Sequence, residues 1–301
     1  MMSLIKKIIV TTDFSEKSLN AVHTAIQMCQ RHGAELHLLY VVETSKVFPV
    51  EGILAPIANI NDEIMEKDIF MLKELTRSIN EDKGIACTCH HKIGFPVQTL
   101  CETASELDCD LVVVATENEE SSLGFLFDSA AYQVLKNANC SVLAVPAEKR
   151  LASFGNVIFP VRTKNDVVGK YNFSRAILKL NHAKVVMMGL LSKPTKKMDR
   201  AIKDLLAQLG QFMEEDLIPY VSGVIVSNDP ASSTKEAGEH YETDLIIINA
   251  STKRNLVQFF AGNFTQRLLN RKEFAVLCYK PKRQRTIPQQ ENTFSTQMAF
   301  G

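Results

Sequence analysis

The stretch 110–146, DLVVVATENEESSLGFLFDSAAYQVLKNANCSVLAVP, aligns without a gap on 244–280, DLIIINASTKRNLVQFFAGNFTQRLLNRKEFAVLCYK, at an offset of 134 (244 − 110). Asp110 and Leu111 match Asp244 and Leu245, Phe125 matches Phe259, Leu135 matches Leu269, and Leu143 matches Leu277. Each copy reads as an apolar strand, a polar loop, an amphipathic helix and a second short apolar strand. Self-similarity at a fixed period means a repeated structural unit. Working outward, KKIIVTTDFSEKSLNAVHTAIQMCQRHGAELHLLYVVE (6–43) parallels NVIFPVRTKNDVVGKYNFSRAILKLNHAKVVMMGLL (156–191) as strand, turn, helix and strand.

Short apolar runs alternate with helical patterns throughout, the signature of parallel βαβ construction. Strands are predicted in the first unit near 7–11, 35–42, 84–90, 111–115 and 142–145, and in the second near 156–161, 184–190, 220–226, 245–249 and 275–279. Helices are predicted near 16–32, 62–82, 97–107 and 128–138. Ser15 is placed to cap the first helix and Gly33 to end it. The second helix is expected to put Ile64, Met71, Leu72, Leu75 and Ile79 on one core-facing stripe. The segment 48–60 (FPVEGILAPIANI) reads as an unusually apolar loop, folded over the sheet or facing a partner.

The 301 residues are 46% hydrophobic and 23% charged, which suits two globular units. They are expected at 1–147 and 154–280, joined by 147–153, with a polar, disordered tail over 281–301 whose KRQR is solvated. No run is long enough to span a membrane, and the first residues do not resemble a secretory leader. Seven cysteines without framework spacing fit reduced thiols in the cytoplasm. Residues 1–150 hold 13 Lys+Arg and 21 Asp+Glu, giving −8; the rest of the 34 and 34 gives +8 in 151–301. The asymmetry suits attraction between halves, different ligands, or simple drift of surface charge.

Ile8–Ile9–Val10–Thr11–Thr12–Asp13–Phe14–Ser15, together with the closing strand that ends at Pro146, resembles the universal stress protein (UspA) family. The resemblance covers residues 4–280 in a tandem arrangement. It implies two Rossmann-like units of the adenine nucleotide alpha hydrolase type, each a five-stranded parallel sheet flanked by helices. It also implies that the last strands of the two units pair with each other. A homodimer of chains and an unidentified protein partner stay open, while nucleic acid and membrane are not expected.

ATP-holding members of the family share a motif of Gly, two residues, Gly, nine residues, then Gly followed by Ser or Thr. In the first unit these positions are Ala115, Asn118 and Asp128-Ser129, so all three glycines are replaced. If a nucleotide site is retained, the resemblance assigns it Thr12, Asp13, Val41, Ala115, Asn118, Asp128 and Ser129. Asp128 would cap its own helix and fill the anion slot. Glu117, Glu119 and Glu120 would add like-charge contacts costing about 1 kcal/mol each in water and about 4 at intermediate dielectric. Mg²⁺ bridging carboxylates and phosphates is the route by which ATP would still bind; otherwise no cofactor is expected.

The second unit has Arg162 where the first has Asp13, and it keeps one motif glycine. Arg162, Lys164, Lys253, Arg254, Gly262 and Asn263 form a solvated basic rim or, as the alternative, a candidate anion site. Cys87, Cys89 and His91 alternate along one strand; metal binding there is weighed against ordinary core packing. No motif of an activated nucleophile, metalloprotease or P-loop is present, so enzymatic turnover is not expected.

Overall fold

In the computed structural model the apolar runs lie side by side in one ten-stranded sheet. The structure describes residues 4–43, 47–50, 53–56, 62–116, 130–151, 153–163, 165–250, 264–265, 267–269 and 273–281, with backbone alone at 47–50, 53–56 and 62–64. The first unit runs β1 (Lys7–Thr11), α1 (Glu16–His32), β2 (Glu35–Glu43), β3 (Val47–Val50), β4 (Ile53–Pro56), α2 (Asp62–Lys83), β5 (Cys87–Gly94), α3 (Pro96–Glu106), β6 (Leu111–Thr116), α4 (Ala130–Asn137) and β7 (Ser141–Pro146). The second runs β8 (Asn156–Val161), α5 (Val167–Leu180), β9 (Lys184–Leu191), α6 (Lys196–Glu215), β10 (Tyr220–Val226), α7 (Pro230–His240), β11 (Leu245–Asn249) and β12 (Ala275–Tyr279).

The sheet order is β10-β9-β8-β11-β12-β7-β6-β1-β2-β5, two parallel five-stranded halves joined antiparallel at β12–β7. The strand registers repeat as the sequence does. Leu111 lies opposite Ser141 and Leu245 opposite Ala275, the same offset of 134 on both strands. Lys7 faces Glu35 and Asn156 faces Lys184, so the opening strands superpose at 149. At the junction Leu143 pairs with Leu277, its own counterpart, flanked by Ala144–Val276 and Val142–Cys278. A residue can oppose its own repeat only on a twofold axis, so the halves meet as an isologous pair within one chain.

The two sheet faces are buried separately. One core layer holds Ile8, Leu36, Leu143, Phe159, Tyr171 and Leu277; the other holds Ile9, Leu39, Val112, Ile246 and Phe274. Both layers run across the junction. Lys280 extends it: its N–H donates to Ser141 Oγ at 3.1 Å, and its amine donates to the Leu135 carbonyl at 3.1 Å and to that of Ala138, capping α4. The Asn20 amide clamps the linker through the carbonyls of Pro146 (2.7 Å) and Lys149 (3.0 Å).

Ser15 caps α1 as expected, accepting from Ser18 N–H, and Gly33 ends it in the left-handed region at φ 62°. Three expectations change. The third strand runs 87–94, not 84–90: Gly84, at φ 62°, turns the chain after α2, and β5 pairs with β2 from Cys87 onward. The apolar segment 48–60 contains strands, since β3 and β4 form a separate antiparallel ribbon. Prolines are tolerated there because both strands are edges. On α2 the stripe is Leu72, Leu75 and Ile79, whereas Met71 is exposed.

Candidate functional site

In each half the strand order reverses beside the opening strand, between β1 and β6 and between β8 and β11. Crevices at the carboxyl ends of such strands are where open α/β sheets take ligands. In the first unit this point gathers Thr12, Asp13, Val41 and Ala115. Thr12 is buried; its N–H donates to the Leu39 carbonyl at 3.0 Å, and its hydroxyl accepts from Phe14 N–H at 3.0 Å. Phe14 sits at φ 62°, uncommon for a residue with a side chain.

Asp13 is exposed and tied to its own helix cap. Its Oδ1 accepts from the Ser15 hydroxyl at 2.6 Å and from Ser15 N–H at 3.0 Å. Partial burial pulls its pKa up, but the hydrogen bonds from Ser15 and Ser18 outweigh that and hold it below the ordinary carboxylate value. Val41 packs on one core layer and Ala115 on the other, on adjacent sides of the crevice. Beside them stand three rings. Phe14 and Tyr40 are 5.5 Å apart, and Tyr40 stacks on His91 at 5.8 Å. The Tyr40 hydroxyl donates to Asp68 at 2.5 Å; burial and this carboxylate push its pKa up to about 12.

The second crevice differs in charge. The registers place Arg162 where the first unit has Asp13, at the offset of 149 set by β1 and β8. Arg162 is half-buried, with its guanidinium 5.7 Å from the Phe264 ring centre, and no carboxylate among the described residues pairs with it. Burial lowers its pKa. Asp166 caps α5 through Gly169 N–H at 2.8 Å and accepts from the Tyr279 hydroxyl at 3.3 Å. Asn249 donates to the Asp166 carbonyl at 2.7 Å, while its Oδ1 is buried without a partner among the described residues.

Beneath this crevice Lys170 is fully buried, its amine donating to the carbonyls of Pro160 (2.5 Å) and Ile247 (3.1 Å) and lying 3.8 Å from the Phe159 ring centre. Proline has no N–H to give a neighbouring strand. The β8–β11 register holds two pairs where β1–β6 holds three, and Lys170 spans the gap.

Asn118, Asp128 and Ser129 of the first candidate site, with Glu117, Glu119 and Glu120, lie outside the described residues, as do Lys164, Lys253, Arg254, Gly262 and Asn263 of the second. The metal reading of Cys87, Cys89 and His91 is corrected: among the described residues no three metal-ligating side chains gather. Instead Cys87 and Cys89 pack on the core, and burial pushes the Cys87 thiol up to about 12. Sequence reasoning passed over Tyr40 and Lys170. Lys170 carried a signal, a lysine on the helix face otherwise marked by Val167, Tyr171, Ser174 and Ile177–Leu178.

Known proteins agree with this architecture. The pattern of the universal stress protein family matches residues 4–146. A universal stress protein of Methanocaldococcus jannaschii is 31% identical over 150 residues, which cover 49% of this chain and 86% of that one. Universal stress protein A homolog 1 of Coxiella burnetii is 30% identical over 141 residues, 46% of this chain and 95% of its own. The crystal structure of a universal stress protein from Archaeoglobus fulgidus shares the fold, with a TM-score of 0.69 at 16% identity over 91% of this chain and 96% of that one. No helix among the described residues is long and apolar enough to cross a membrane. The chain belongs to the universal stress protein family.

Proposed function

We propose that this chain is a non-catalytic, cytoplasmic binding module of the stress response. Its first unit (1–147) has lost most of its nucleotide affinity, and its second (154–280) takes simple anions beside Arg162. The observation that carries the reading is the inversion at equivalent positions: Asp13, tied to its own helix cap, against Arg162, which lacks a carboxylate partner among the described residues. A half-buried guanidinium favours phosphate or carboxylate over a ribose hydroxyl. In the first unit, replacement of the motif glycines at 115, 118 and 128 removes the close backbone approach that phosphates need.

Titration calorimetry with ATP, AMP and inorganic phosphate, with and without Mg²⁺, tests this. Phosphate binding should weaken at least ~10-fold in Arg162→Ala, the loss of one charge-assisted hydrogen bond. Restoring glycine at 115, 118 and 128 together should create ATP binding; no gain would count against the loop argument. The competing reading, a Mg-ATP switch, draws on the retained Asp13 at the strand-order reversal. Strong Mg-ATP binding abolished by Asp13→Ala would replace the proposal with it.

A further inference from the structure

Strand β10 ends the sheet, and among the described residues no strand pairs with its outer edge. Its sequence, YVSGVIV, is uncharged and rich in β-formers, without proline. Sheet edges are normally protected by charge, proline or a covering element, because unpaired N–H and C=O groups recruit other strands. The opposite terminal strand, β5, follows that rule with Lys92 and two histidines.

One face of β10 is also partly open: Val221 and Gly223 are exposed on it, while Ile225 packs on a core layer. By register Val221, Gly223 and Ile225 correspond to Thr88, His90 and Lys92 of β5. In the first unit α3 packs over β2 and β5 on that side, whereas in the second α7 packs on β8. The strip left open is a groove of about 280 Å³ lined by Val186, Tyr220, Val221 and Tyr241 among others. Val221 on this face and Val226 on the other are 56% and 59% exposed, and Leu217, just before the strand, is 89% exposed. Gly223 adds an independent sign: it sits mid-strand at negative φ, and a Cβ there would meet nothing within 4 Å. Neither backbone angle nor packing inside the chain calls for a glycine in this place.

We propose that β10 is a docking edge for the β10 of a second copy of this chain. The two strands run antiparallel about a twofold axis at Gly223, with Tyr220 opposite Val226 and Val221 opposite Ile225 of the partner. A second copy is the occupant because the chain already contains a contact of this kind at the middle of its sheet. β7 and β12 join in this way, edge to edge and antiparallel about the Leu143–Leu277 pair. An uncharged heptad is complementary to itself, and one such contact closes as a dimer because the far edge, β5, carries charge.

Sedimentation equilibrium of the full chain is expected to give twice the 33.6 kDa chain mass. Val221→Lys should raise the dissociation constant at least ~10-fold by setting a charge against the apolar Ile225 of the partner subunit, with an unchanged far-UV spectrum. Thr88→Lys, on β5, should leave the dimer intact. A wild-type chain that stays at 33.6 kDa at its highest soluble concentration overturns the proposal. So does a dimer that survives Val221→Lys, or one that Thr88→Lys disrupts equally. Should Val221→Lys misfold, Val226→Lys serves with hydrogen exchange, since amides of 220–226 must exchange more slowly as protein concentration rises. Exchange independent of concentration refutes the interface.

Discussion

Replacing Lys170 with alanine is expected to cost about 2–5 kcal/mol of stability, the range for truncating a long buried side chain. The amine is the partner seen at the Pro160 and Ile247 carbonyls from α5, and its stem fills space in a fully buried site. Alanine removes both and leaves a cavity as well. Methionine keeps the stem, so Lys170→Met should recover at least ~1 kcal/mol of the loss. Urea unfolding of the three proteins measures both differences. Equal midpoints for alanine and wild type would show that the staple between β8 and β11 is dispensable. Burial also pushes the Lys170 pKa well below its usual value. The unfolded chain therefore holds a proton that the folded chain sheds first. Stability gains as pH rises toward ~10.4, the unfolded value, and the methionine variant lacks that gain.

A second large effect is expected in acid. Burial, helped by Arg31, lowers the pKa of His32 from 6.5 to about 4, and burial lowers His23, His37 and His90 as well. The His37 and His90 rings share one contact, Nδ1 to Nε2 at 3.2 Å, which a second proton breaks. Each group has a folded pKa below its unfolded one. Stability is therefore full above pH 6.5 and falls as acid protonates the unfolded chain first. His32 alone contributes a loss of about 3 kcal/mol between pH 6.5 and 4, at about 1.4 kcal/mol per pH unit. Asp13 and Asp216, with pKa values below 3.8, titrate beneath this window. Urea midpoints taken from pH 7.5 to 4 should fall steeply in wild type and less in His32→Gln. A flat wild-type profile would contradict the assignment.

Much of the fold was legible because parallel strands buried on both faces write themselves as apolar runs. The offset between 110–146 and 244–280 even anticipated the register, since Leu111–Ser141 and Leu245–Ala275 are equivalent pairs. Where burial is one-sided or polar, the reading slipped. β5, half-exposed and carrying His90 to Lys92, has little apolar pattern, and its true start shows only in the turn at Gly84. The β3–β4 ribbon was hidden by Pro49, Pro56 and Gly52. On α2 a shift of one position, about 100° of rotation, separates exposed Met71 from buried Leu72.

The site was legible in place rather than in detail. The βαβ order put Asp13 and Arg162 beside the strand-order reversals, where they stand. The Phe14–Tyr40–His91 stack arises from residues brought together by β2, β5 and the turn after β1. No local spacing in the sequence announces such contacts.

The antiparallel meeting of β7 and β12 has a consequence for any ligand. The mouth beside Asp13 and the mouth beside Arg162 open at opposite rims, so two occupants never collide and no single small molecule bridges them.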